Sequence, residues 1–213
     1  MQSMLFALLV AFAAVLAMGP FVIPMLRRLN FSATERSYGL VSHNKKSGTP
    51  LMGGVMIMLA LGVVALVFSP AETRWSLMLP AVLFTLGFSL TGFADDFIKV
   101  KKKHNEGLTV MQKIVIQVLI IAAYFATLYL SGMTRTAILF PWGWTWELGW
   151  LYYPIMGVVI LYLVNAVNLT DGIDGLCSCV TVVYMAAFAC ISGILGMYCE
   201  TLLALLTAGG CIG

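Results

Sequence analysis

Six stretches of the chain run for 20 or more residues without a single Asp, Glu, Lys or Arg: 1–26, 47–71, 75–94, 114–134, 148–170 and 175–199. A helix crosses a bilayer with about 20 mostly apolar residues, so each run is long enough to span. The rest of the chain offers little to dilute them. It is 61% hydrophobic and 10% charged, with a mean hydropathy of +0.98, a composition of membrane proteins and not of soluble domains. A seventh run begins at Thr201 and reaches Gly213 after 13 residues. The expected fold is all-α: a polytopic membrane helical bundle of about six complete spans and a truncated seventh. It forms one integral membrane domain over residues 1–213 that stops short at its C-terminal end. No basic residue precedes the first run, and Arg27 and Arg28 follow it. That order is the reverse of a cleavable signal peptide, so a retained span is expected.

The charges sort by loop. If the spans alternate, residues 27–46, 95–113 and 171–174 face one side and carry ten of the twelve Lys and Arg residues; Arg74 and Arg135 face the other. The positive-inside rule makes the basic side cytoplasmic and places the N-terminus outside. The net charge of +3 is accounted for by this orientation, and no nucleic-acid partner is expected. All four aspartates, Asp95, Asp96, Asp171 and Asp174, fall on the cytoplasmic side. The five cysteines at 177, 179, 190, 199 and 211 lie in or beside apolar runs without CxxC spacing, which suits packed thiols.

Adjacent carboxylates at the end of an apolar run need cations or chemistry to explain them. In FADDFIKVKKK, a helix continuing past Ala94 would put Lys99 at i+4 from Asp95 and i+3 from Asp96, within reach of both. Such a group could hold Mg²⁺ with anionic phosphates, or be a solvated ion-pair cluster. The loop before the second span reads SHNKKSGTPLMGG, where Gly48, Pro50, Gly53 and Gly54 make a rigid turn beside Lys45 and Lys46. Those lysines are either phosphate contacts or orientation anchors. The fifth run ends in NAVNLTDGIDGL, with Asn165, Asn168, Thr170, Asp171 and Asp174 beside hydrocarbon, a costly placement that usually marks function. Between the fourth and fifth runs, Phe140, Trp142, Trp144, Trp146, Leu148 and Trp150 occupy alternate positions. That period predicts a short outer-side β-hairpin with its tryptophans in the interfacial aromatic belt. Three polar clusters on one face suit a phosphorylated substrate and a divalent metal at the membrane surface. An ion-coupled transporter, the rival of a different class, would more typically place them near the bilayer midplane.

Taken in order, SHNKKSGTPLMGG, GFADDFIKVKKKHNEGLTVMQK and NAVNLTDGIDGL resemble successive motifs of the phospho-N-acetylmuramoyl-pentapeptide transferases, within the polyprenyl-phosphate N-acetylhexosamine-1-phosphate transferase superfamily. The resemblance implies a multi-pass enzyme of the bacterial cytoplasmic (inner) membrane. It implies transfer of phospho-N-acetylmuramoyl-pentapeptide from its UDP carrier to undecaprenyl phosphate, with release of UMP. It also implies a Mg²⁺ requirement, a ten-helix fold and a homodimer. By position, Lys46 would meet phosphate or nucleotide, Asp95 would deprotonate the lipid phosphate, and Lys113 matches a site lysine. Asp96 would place metal or charge, Asp95 and Asp96 would be metal ligands, and Lys99 would bind substrate. Asn168, Asp171 and Asp174 match a motif that lines the nucleotide site. Leu51 stands where the family has a threonine. A further metal-binding aspartate and a histidine-rich loop of the family are expected beyond residue 213, so the chain by itself is expected to be inactive. A related transferase of N-acetylglucosamine phosphate and a non-catalytic scaffold are the remaining alternatives.

Overall fold

The computed structural model describes residues 2–28, 52–102, 107–132, 135–140, 142–171 and 175–213. Lys45, Lys46, Lys103 and Asp174 lie outside these residues.

Seven helices are described. α1 (Gln2–Arg28) keeps its helix through Pro20 and Pro24 and closes on Arg27 and Arg28. α2 (Gly54–Phe68) is followed after a short turn by α3 (Ala71–Lys102), which includes a π-helical stretch at Arg74–Met78. The turn is tied by Arg74, whose Nη2 donates to the Ser69 carbonyl at 2.7 Å and whose Nε donates to the Ser69 hydroxyl at 3.2 Å. α4 (Val110–Leu130) leads to two three-residue strands, β1 (Ala137–Leu139) and β2 (Thr145–Glu147). They pair antiparallel with Ile138 opposite Trp146. A 3₁₀ turn, Gly149–Leu151, opens α5 (Tyr152–Thr170), and α6 (Leu176–Ile194) and α7 (Tyr198–Ile212) complete the order.

Five helical segments are long and apolar enough to cross a membrane: Gln2–Arg28, Ala71–Lys102, Val110–Leu130, Gly149–Thr170 and Leu176–Ile194. The second uncharged run does not give a sixth among the described residues. Its helix has 15 residues, a length of about 22 Å at ~1.5 Å per residue, against a hydrocarbon core of about 30 Å. Uncharged is not the same as helical: Met52 sits at φ +69° and Gly53 precedes the first helical residue.

The packed core gathers around α7. Leu202 and Leu206 are fully buried, against Ala7 and Ala11 of α1, Leu61, Val64 and Ala65 of α2, and Met78 and Val82 of α3. α1 and α7 come together backbone to backbone. A Cβ added at Gly209 would lie 2.6 Å from the Leu8 carbonyl oxygen, and one at Gly213 would lie 2.7 Å from that of Phe12. Lipid is as apolar as leucine, so close approach through small residues is what holds such helices together. The core's hydroxyls are paired: Thr201 Oγ1 donates to Ser192 Oγ at 2.9 Å. α5 lies at the other extreme, with no buried residue.

Candidate active site

α3 does not stop where its apolar sequence stops. It carries on through Lys102, and the helical spacing then does what it must. Lys99 Nζ lies 2.6 Å from Asp95 Oδ2 and 3.0 Å from Asp96 Oδ1. Asp95 is buried, with 7% of its surface exposed. A carboxylate in that position needs partners from beyond its own helix, and α4 supplies them.

Thr109 begins α4 with a reciprocal cap. Its hydroxyl accepts the Gln112 N–H at 3.3 Å, while Gln112 Oε1 accepts the Thr109 N–H at 3.0 Å. The cap fixes the first turn and so aims the next residue, Lys113, whose Nζ lies 3.0 Å from Asp95 Oδ1. The Leu108 N–H donates to the same oxygen at 2.8 Å. Asp95 therefore receives two ammonium groups and one peptide N–H. Gly107 is what lets the chain pass this close: a Cβ there would collide with Asp95 Oδ1 and lie 2.7 Å from the Asp95 carbonyl oxygen. Two carboxylates and two lysines balance in charge. Lys101 and Lys102, both exposed one turn further on, leave the neighbourhood positive, which favours an approaching polyanion.

Of the residues expected in the site, Asp95, Asp96, Lys99 and Lys113 meet in this one cluster. Asn168 and Asp171 are exposed at the end of α5, Asp171 closing the helix. Among the described residues no hydrogen bond or ion pair joins them to the Asp95 cluster. Lys46 and Asp174 fall outside the described residues. Gly107, Leu108 and the Thr109 cap were not singled out from the sequence. The cap was visible there as T-x-x-Q, whereas a backbone donor leaves no side-chain signal. A second tie lies one turn along α4: Asn165 Nδ2 donates to Gln117 Oε1 at 2.9 Å and to the Leu161 carbonyl at 2.8 Å.

The cluster offers Mg²⁺ a partial set of ligands. That ion is commonly held by one or two carboxylates and completes its shell with water and substrate phosphate oxygens. Asp96 fits, because its side chain is 30% exposed and only Oδ1 is engaged among the described residues. Asp95 fits less well, since both its oxygens already accept from N–H groups. No three His, Cys, Asp or Glu side chains converge among the described residues.

The family described as Glycosyl transferase family 4 matches residues 78–213, from the end of the π-helical stretch through α7. The chain belongs to that family. Its relatives sharpen the placement of this family 4 transferase. It is 42% identical over 193 residues to the phospho-N-acetylmuramoyl-pentapeptide-transferase of Shouchella clausii, covering 89% of this chain and 59% of the relative. With the proteins of the same name from Geobacillus kaustophilus and Bacillus subtilis, identity is 39% over 220 residues and 37% over 213, in both cases covering 100% of this chain and 66% of the relative. The transferase chain thus spans about three-fifths to two-thirds of the length of these relatives. The family match takes in Asp95, Asp96, Lys99, Lys113, Asn168, Asp171 and Asp174, while Lys46 lies before it.

Proposed function

We propose that this family 4 transferase moves phospho-N-acetylmuramoyl-pentapeptide from UDP to undecaprenyl phosphate. A lipid phosphate oxygen forms a bond to the sugar-bearing phosphorus of the UDP carrier. The pyrophosphate P–O bond breaks, and UMP leaves with the electron pair. The observation that carries this reading is the Asp95 cluster, with Lys99 and Lys113 held on a buried carboxylate at 2.6 and 3.0 Å in a chain whose relatives bear that enzyme's name. Bringing two anionic groups together requires fixed positive charge more than it requires a base. A phosphate monoester has its second pKa near ~6, so the attacking oxygen is largely unprotonated at neutral pH. Asp95 would take a proton only once a lysine moved off it. Its first role on this reading is to aim Lys99 and Lys113 at phosphate.

Asp96, with phosphate oxygens, would hold Mg²⁺, and a bound Mg²⁺ supplies charge neutralisation at the pyrophosphate. Lys46 would add a further cation from the N-terminal side, and Asn168, Asp171 and Asp174 would line the nucleotide. On this reading the chemistry lies at the cytoplasmic face of the bacterial inner membrane, with the strand pair β1–β2 at the outer interface; the excess of basic residues in three loops supports it.

The test is an assay of UMP release in membranes carrying the protein expressed from its full reading frame. Release is expected with UDP-N-acetylmuramoyl-pentapeptide, undecaprenyl phosphate and Mg²⁺ together, and not when any one is omitted. Faster release from UDP-N-acetylglucosamine would reassign the donor; release without lipid phosphate would refute the transfer.

A further inference from the structure

Gln117 and Asn165 take no part in the proposed transfer, yet they are placed where they can govern it. Gln117 is buried, with 6% of its surface exposed. It lies one helical turn beyond Lys113, about 6 Å along the axis of α4. Asn165 lies one turn before Asn168, about 4.5 Å along α5. Their hydrogen bond thus joins the lysine that meets Asp95 to the helix end that carries Asn168 and Asp171.

The remainder of the α4–α5 contact is thin. An apolar cavity of about 540 Å³ opens between the two helices, lined among others by Val118, Ile121, Phe125, Gly157 and Leu161. At its far end the helices meet through aromatic rings, with Phe125 and Tyr153 at 5.6 Å and Tyr129 and Trp150 at 6.3 Å between centroids. α5 is therefore held by rings at one end, by an amide pair at the other, and by little in between. In an apolar surrounding the amides have strong reason to stay joined: if the helix turns, the buried Gln117 Oε1 loses the Asn165 donor, while Asn165 keeps only the Leu161 carbonyl of its own helix. A rotation of about 20° would carry a side chain at a radius of ~5–6 Å through roughly 2 Å. Displacements of about 1 Å can cost a reaction ~10²-fold.

We propose that Gln117 and Asn165 are a positioning pair that sets the rotation of α5, and with it the placement of Asn168 and Asp171 relative to the Asp95–Lys113 ion pair. The catalytic part of this inference rests on the transferase reading; the mechanical part does not. The experiment separates them with two readouts in protein expressed from its full reading frame. The first is disulfide formation between Ile121→Cys and Gly157→Cys with the five native cysteines replaced by serine, read without substrate. A Cβ at Gly157 would lie 3.7 Å from Ile121 Cγ2. The second is the kcat and KM of UMP release.

Gln117→Leu and Asn165→Leu should each lower the cross-linking yield by at least half. Each should also lower kcat by about 10- to 100-fold, with the KM for lipid phosphate changed less than about threefold. The exchanged pair, Gln117→Asn with Asn165→Gln, should recover much of both. Unchanged cross-linking in the leucine variants would overturn the proposal, as would unchanged kcat beside lost cross-linking, or an exchanged pair no better than the single variants. If the parent protein releases no UMP, the transferase reading fails, and the positioning of α5 by this pair is then decided by cross-linking alone.

Discussion

Asp95 shows how much one residue can depend on its neighbours. Removing the ammonium group of Lys113 would leave Asp95 Oδ1 with the N–H of Leu108, just before α4, as its one remaining partner from beyond α3 among the described residues. Breaking a fully buried ion pair costs about 3–5 kcal/mol. The Lys113 side chain is 27% exposed, so water softens the loss, and Lys113→Met should destabilise by about 1–2 kcal/mol in thermal unfolding. UMP release should fall at least ~100-fold, since the charge opposite the phosphates goes with it. Gly107→Ala tests the same seat from the other side. Its Cβ cannot coexist with the Asp95 carboxylate as placed, and overpacking of this kind costs about 1–3 kcal/mol; a melting temperature equal to that of the parent would refute the tight passage. The pairing of Lys99 with Asp95 and Asp96 could be read from the sequence because i+3 and i+4 neighbours follow from the helix alone. The role of Gly107 could not, because its partner lies 12 residues back and the contact is to a glycine's empty side.

The same contrast holds for whole elements. The uncharged run of α3 ends at Ala94 but the helix runs on through Lys102, and this continuation turns a sequence spacing into an ion-pair cluster. Within the described part of the uncharged run, from Met52 on, the helix covers only Gly54–Phe68, since Gly and Pro are uncharged yet bound helices, as Gly53 and Pro70 do here. α7 gave the least warning. Past Glu200 and Thr201 its sequence is apolar but for Thr207, and in a membrane both the lipid-facing and protein-facing sides of a helix are apolar, so periodicity does not point to a core. The signal lay in its small residues, Ala204, Ala208, Gly209 and Gly210, all buried. Gly209→Val should therefore destabilise strongly, by about 2 kcal/mol or more, because the nearest atom is the Leu8 backbone oxygen and cannot step aside. Gly19→Ala is the matched control. Its Cβ would meet only Ile23 Cδ1 at 3.9 Å, and helix propensity predicts a neutral or slightly stabilising change. Equal effects of the two substitutions in thermal unfolding would argue against the close α1–α7 contact.

At the scale of the molecule, a membrane bundle carries its few charges at helix ends, and the described ones concentrate where α3 ends and α4 begins. Lys99, Lys101, Lys102 and Lys113 outnumber Asp95 and Asp96 there. A positive surface attracts a polyanionic nucleotide over distances that salt screens, about 10 Å at ~0.1 M. The KM for the UDP-linked donor should therefore rise several-fold as salt is raised from about 0.05 to 0.5 M, while kcat changes little; a KM indifferent to salt would remove electrostatic capture. Membrane class could be read from charge placement alone, and the meeting of Lys99 with Asp95 and Asp96 from their spacing. The placement of Asn168 and Asp171 relative to Asp95 could not, because that depends on how α5 is turned against α4. The most direct measurement is single-turnover UMP release by the protein from its full reading frame beside its Asp95→Asn variant. This substitution keeps the size of the side chain and removes the charge that holds Lys99 and Lys113. A reaction centre at Asp95 predicts a loss of at least ~100-fold with donor binding retained; release at the parent rate would place the chemistry elsewhere.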